Sequence, residues 1–299
     1  MTDLDALRQA EDPSAPWPSR AAAARRVAAA APGAHDGRLD ALQAAFLDPA
    51  IARQIPVGLR VAFWTAVGDR NLVARTHARW IDVPAAPGWV GPVPGDPHTR
   101  DREGPGQMVE LPAFRIQAWP VTVAEYALFL ADDASRTADP RRSPLAHAPA
   151  TWVTPADADA YCAWLAQRTG HPVALPTEAQ WTFAARGPHA NGQPIRRYPW
   201  GQDADPERHL GAQRAPLPPG AFPTGVSWCG TWEQAGNVWE WCRGAYLVDP
   251  TAELTETGDR RPLRGGSYAC EAQFLRISHR ASAGVDERFG DVGFRCVVG

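Results

Sequence analysis

The chain has no lysine. All 30 of its basic residues are arginine, set against 33 acidic residues for a formal net charge of −3. This excludes lysine Schiff-base chemistry. With no basic run and no positive excess to neutralise phosphates, nucleic acid is not an expected partner. The arginine bias itself reads as high-GC coding rather than mechanism. Nowhere do roughly 18 apolar residues run together, so no membrane span is expected. Met1 to Glu11 is acidic and polar without an apolar core, so no secretion signal is expected either, and the expected location is the cytoplasm. The five cysteines, Cys162, Cys229, Cys242, Cys270 and Cys296, form neither a Cys-x-x-Cys pair nor a Cys/His cluster of zinc spacing. A structural zinc site is not expected.

What is present changes near residue 78. Eleven of the 13 tryptophans lie at or after Trp80, whereas residues 18 to 75 are rich in Ala, Arg and Leu. Short helical patterns over Ser19 to Ala31, Arg38 to Leu47 and Val57 to Val67 predict a small helical domain at 1–78, resembling degenerate helical repeats. Residues 79–299 form a second domain of different character, Pro/Gly-rich in its first part. Three helix starts are marked there by threonine N-caps at Thr122, Thr154 and Thr177. Glu125 and Gln180 complete capping boxes on the first and third, and Pro155 at the first helical position strengthens the second. The predicted helices run 123–131, 155–168 and 178–185, the second closed by Gly170. Short strands and long loops fill the rest.

Four segments occur in a fixed order: Trp119 to Tyr126 (WPVTVAEY), Leu175 to Trp181 (LPTEAQW) with Ala185-Arg186-Gly187, Gly236 to Trp241 (GNVWEW), and Leu263 to Tyr268 (LRGGSY) with Gly293-Phe294-Arg295. Together they resemble the formylglycine-generating-enzyme, or sulfatase-modifying-factor, family across about residues 79–299. The resemblance implies an α+β, C-type-lectin-like fold with low regular secondary structure: a small twisted mixed sheet, two flanking helices and much ordered loop. Most of the signature then serves architecture. Trp181, Trp239, Trp241 and Phe294 bury large rings, and Arg264 or Arg295 satisfies buried loop carbonyls.

The same resemblance implies a copper ion held between two cysteines in the pattern G-G-S-Y-x-C-x4-C. Here Cys270 fills the first position and Leu275 the second. A leucine side chain cannot ligate, so the two-sulfur site selective for Cu(I) is not expected and formylglycine-generating activity is not expected with it. The iron-binding H-x3-H-x-E arrangement of sulfoxide-synthase relatives is also absent, since His77 lacks such partners. If the chain is an enzyme, the resemblance points to Cys270, Ser267 and Trp239; His279, on the same C-terminal segment, is a candidate metal partner for Cys270, and the alternative is that Cys270 is a small, partly buried packing residue.

By position, the family's calcium loop corresponds to the side chains of Glu233 and Glu240 with the carbonyls of Gly236 and Val238, an all-oxygen set suited to calcium. The alternative is that Glu240 pairs with an arginine and no ion binds. A second calcium loop is not expected, because Leu210 to Pro223 has no acidic residue. Cys162 and Cys296 match a pair disulfide-bonded in secreted relatives; in a reducing compartment they would stay adjacent buried thiols. The segment 269–292 falls on the face that relatives use for activity or binding. Glu271, Gln273, Phe274, Arg276, His279, Arg280, Glu287, Arg288 and Phe289 suit a polar recognition surface with aromatic anchors.

Two functions follow as expectations. The first is a non-catalytic module that binds a protein or peptide through residues 269–292. The alternative is a metal-dependent oxidoreductase, using copper or iron, acting on a peptide or small thiol.

Overall fold

The computed structural model describes residues 80–132, 147–190, 192–206, 208–209, 211 and 215–299. The expected helical domain at 1–78, and its boundary, lie outside the described residues.

The three threonine caps each start a helix: α1 (Val123–Asp132), α2 (Pro155–Thr169) and α3 (Glu178–Arg186). Each is fixed by bonds three residues apart. At α1, Thr122 N donates to Glu125 Oε2 at 2.8 Å and Glu125 N donates to Thr122 Oγ1 at 3.3 Å. At α3, Thr177 and Gln180 exchange the equivalent bonds. α2 also carries a capping box, which the sequence pattern does not mark because its third residue is Asp157 rather than Glu or Gln. Gly170 ends α2 at φ 70°, a left-handed conformation that glycine adopts without steric cost.

The described strands divide among three sheets rather than forming one. They are β1 (Trp80–Val83), β2 (Ala86–Val90), β3 (Gln107–Leu111), β4 (Phe114–Gln117), β5 (Val173–Ala174), β6 (Trp239–Trp241), β7 (Arg260–Arg264), β8 (Arg280–Gly284), β9 (Val292–Gly293) and β10 (Val297–Val298). One sheet has the order β1-β4-β10-β5, a second pairs β2 with β3, and a third has the order β8-β7-β6-β9. In the third sheet β6 runs antiparallel to β7 and parallel to β9, so it is mixed. None of the strands exceeds five residues. The prolines and glycines between them break each ladder early.

Aromatic packing joins helices to sheets. Tyr126 of α1 stacks on Tyr161 of α2 with centroids 5.7 Å apart, and Phe294 meets both edge-on. Trp241, fully buried, donates its indole N–H to the Val153 carbonyl.

Buried arginines hold the loops. Arg295 Nη1 donates to the Gln117 and Ala118 carbonyls and Nη2 to the Trp232 carbonyl, while Nε and Nη2 grip the Glu240 carboxylate. Arg264 and Arg280 share Glu178 from the first turn of α3. Such forks bond carbonyls that irregular backbone leaves without ladder partners. Cys162 and Cys296 are two buried thiols with sulfurs 3.5 Å apart.

Candidate active site

The site begins where β7 ends. After Arg264 the backbone turns through Gly265 (φ 94°) and Gly266 (φ 73°). A Cβ at Gly266 would lie 2.4 Å from Leu275 Cδ2 and 2.9 Å from the Phe274 carbonyl oxygen, so only glycine fits the turn. The turn returns Ser267 to the interior. Its hydroxyl donates to Asp291 Oδ2 at 2.8 Å, accepts from the Ala269 N–H, and lies 3.5 Å from Cys270 Sγ. Asp291 is held beside β6, its carbonyl accepting from Trp239 N at 2.8 Å. Burial, and then the Asp291 carboxylate, push the Tyr268 phenol upward.

Cys270 is half-buried and packs with Trp200 on a cluster of Tyr198, Ala235 and Leu275. Leu275 is fully buried there, so hydrocarbon stands where a second sulfur would be required. A stack of Tyr198, Trp200 and His209 runs along this edge, with centroid spacings of 5.4 and 5.9 Å. His209 Nδ1 and the Cys270 carbonyl oxygen crowd the same side of Gly211, each about 3 Å from where a Cβ would sit. Burial lowers the affinity of His209 for a proton. The sequence places Asp291 on the 269–292 face without its serine partner, and it does not mark His209 at all. His209 sits in a loop with no local pattern, and Asp291 reaches Ser267 only through the sheet.

Trp239 is half-buried and lies against the His279 ring at 5.7 Å. His279 was expected as a metal partner of Cys270. Its Nδ1 instead lies 3.7 Å from Glu103 Oε1, and burial lowers its pKa while Glu103 opposes the shift. Among the described residues no group of three or more His, Cys, Asp and Glu side chains is placed to hold a metal ion.

The expected recognition surface divides in two. Arg276, His279 and Arg280 are buried, at 0%, 4% and 0% exposure, not displayed. Arg276 donates to Asp96 Oδ2, to both oxygens of Glu103 and to the His98 carbonyl. Arg280 grips Glu178 and three loop carbonyls. Desolvated guanidinium groups require this many acceptors, and the fold supplies them from distant loops. Glu271, Glu287, Arg288 and Phe289 are exposed, and Gln273 and Phe274 are half-buried.

At the expected calcium loop, Glu233 is buried with φ 63°, and burial raises its carboxyl to about 7 despite Arg295 and the Gly220 N–H. Glu240 turns both oxygens to Arg295 and also accepts the Trp181 indole N–H.

Residues 82–299 match the sulfatase-modifying factor enzyme 1-like domain. The chain belongs to this family. It is 35% identical over 233 residues to a hercynine oxygenase of Mycolicibacterium thermoresistibile, covering 62% of this chain and 50% of that protein. It is also 35% identical over 175 residues to a formylglycine-generating enzyme of Streptomyces coelicolor, covering 50% and 52%. The chain thus spans about half the length of these curated relatives. Among solved structures, PvdO from Pseudomonas aeruginosa superposes with a TM-score of 0.63 at 23% identity, covering 73% of this chain and 93% of that one. CarF does so at 0.58 and 19%, covering 74% and 98%. These neighbours support the mixed helix and strand fold of the family. Relatives named as oxygenases overturn the expectation of a non-catalytic binding module. Among the described residues no helix is long and apolar enough to cross a membrane.

Proposed function

We propose that this family member is a metal-dependent oxidoreductase acting on a small thiol or a cysteine-bearing peptide at the Cys270 face. The observation that carries the reading is a half-buried thiol 3.5 Å from a serine hydroxyl that is itself bonded to Asp291, on a chain related to proteins named oxygenases. Ser267 and Asp291 orient the rim of the site, while Trp239 and Trp200 offer aromatic walls to an organic substrate. The same reading takes the fold as C-type-lectin-like and the protein as cytoplasmic.

The metal is the part that the described residues do not complete. A two-thiolate copper site does not fit, because Leu275 fills the second position, and no described trio of ligands suits iron. No residue set is therefore assigned to the metal. No chemical step is assigned to the metal. The test is metal analysis of protein purified without chelator, followed by oxygen uptake with a panel of small thiols and cysteine peptides. Iron near one equivalent, with thiol-dependent oxygen uptake lost in Cys270→Ala, supports the reading. No thiol-dependent uptake in iron-loaded protein overturns it.

We also propose calcium at Glu233 with the Gly236 and Val238 carbonyls. A buried carboxylate with no described ion pair supports this, and Glu240, already neutralised by Arg295, contributes less. Calcium at a hundredfold over its dissociation constant should stabilise the fold by about 2.7 kcal/mol; an unchanged thermal melt after chelation and readdition counts against the site.

A further inference from the structure

Between α1 and α2, beside Trp80 of β1, lies a cavity of about 460 Å³. It shares none of its lining with Ser267, Cys270 and Asp291. Trp80, Tyr161 and Trp164 supply aromatic walls, and Glu125 lines it from α1. The volume lies in the range of small-molecule sites.

Glu125 is the informative residue. It is 9% exposed, and its capping bonds all fall on one oxygen: Thr122 N and Thr122 Oγ1 both donate to Oε2 at 2.8 Å. Among the described residues, Oε1 receives no hydrogen bond and no arginine or histidine forms an ion pair with this carboxylate. The capping role therefore leaves half of the group unexplained. That oxygen is not fully buried: Glu125 lines the cavity and keeps some access through it, so a ligand there can reach it.

The other charges at the cavity are already matched. Arg168 Nη1 lies 2.6 Å from Asp132 Oδ2, both are largely exposed, and Trp164 Nε1 donates to the same oxygen. Arg168 also covers the Trp164 ring at 5.3 Å, so this ring is already used as a cation platform at the mouth. Glu125, by contrast, has no cationic partner among the described residues. Burial, opposed by the Thr122 bonds, raises the Glu125 carboxyl to about 7, as befits an uncompensated site.

We propose that this cavity binds a small organic ammonium ion, its charge on Glu125 Oε1 and its apolar body against Trp80, Tyr161 and Trp164. A desolvated carboxylate together with aromatic faces attracts a weakly hydrated cation from both directions. A neutral ligand of the same shape would leave Oε1 unpaired, and an anion would be repelled by it. The inference stands apart from the oxidoreductase reading, since it concerns a different cavity and its test reads binding alone.

The experiment is isothermal titration calorimetry of the full chain with benzyltrimethylammonium, compared with neutral benzyl alcohol. Saturable binding of the ammonium is expected, weakened about tenfold or more in Glu125→Gln, which keeps an acceptor for the helix cap but loses the charge. Leu128 is 57% exposed at the cavity, so Leu128→Arg should fold normally and weaken ammonium binding by placing a tethered cation there. Absence of saturable ammonium binding overturns the proposal. So does equal binding by Glu125→Gln, or equal binding of benzyl alcohol.

Discussion

Replacing Glu178 by glutamine should be among the most damaging isosteric changes available to this fold. Its carboxylate, 6% exposed, is shared by two arginines that are 0% and 1% exposed. Arg280 approaches through Nε at 2.7 Å and Nη2 at 2.5 Å, and Arg264 Nη1 at 3.2 Å. Glutamine retains the shape but removes the charge and points an N–H₂ group at a guanidinium. Two buried cations then face carbonyls and the Tyr246 ring with no anion between them. Breaking a buried pair by removing one partner costs about 3–5 kcal/mol. Burial already disfavours the charged form of Arg264, which Glu178 opposes, so the upper end applies. At about 2–4 °C per kcal/mol for a domain of this size, the melting temperature should fall by roughly 6–20 °C. Urea denaturation at neutral pH gives the free energy directly. The loss should change little with salt, since these charges are shielded from solvent. Adding Arg264→Met to Glu178→Gln should recover part of it by removing one stranded cation. A loss below about 1 kcal/mol, the range of an exposed pair, would refute the argument that Glu178 neutralises this part of the interior.

Acid should reveal Glu103. Burial pushes its carboxyl up, but the nearby His279 ring, the two hydrogen bonds from Arg276 and the Arg276 charge hold it at about 2 against an ordinary 4.5. A depressed carboxylate stabilises the fold above pH 4.5 and loses that contribution as pH falls through about 2, here about 3 kcal/mol. Denaturation as a function of pH should show this loss in the natural protein and not in Glu103→Gln. Leu275→Cys should lower stability by about 1–3 kcal/mol through lost packing and should confer uptake of about one equivalent of Cu(I), with none in the natural protein; anaerobic titration decides. Gly266→Ala should cost about 2–4 kcal/mol, because alanine must adopt φ 73° and its Cβ meets the Phe274 carbonyl oxygen; thermal melting measures it.

The sequence by itself determined features that depend on neighbours in the chain. Thr122, Thr154 and Thr177 set the helix starts because a cap bonds the backbone three residues away. The four ordered motifs identified the family, and Leu275 removed a sulfur whatever the fold. Tertiary structure alone decided what the polar side chains between residues 269 and 292 do. Arg276 and Glu287 look equally solvent-seeking in a string of letters, yet Arg276 is buried against Glu103, 173 residues earlier, and Glu287 is exposed. Composition cannot distinguish a displayed charge from one paired across the core. In the same way, Asp291 meets Ser267 only through the third sheet, and His209 reaches the Cys270 edge only by stacking on Trp200. Glu125 shows both levels in one residue. Its Oε2 cap was legible from a threonine three residues before it, while the unpartnered Oε1 exists only because α2 and β1 close a cavity around it.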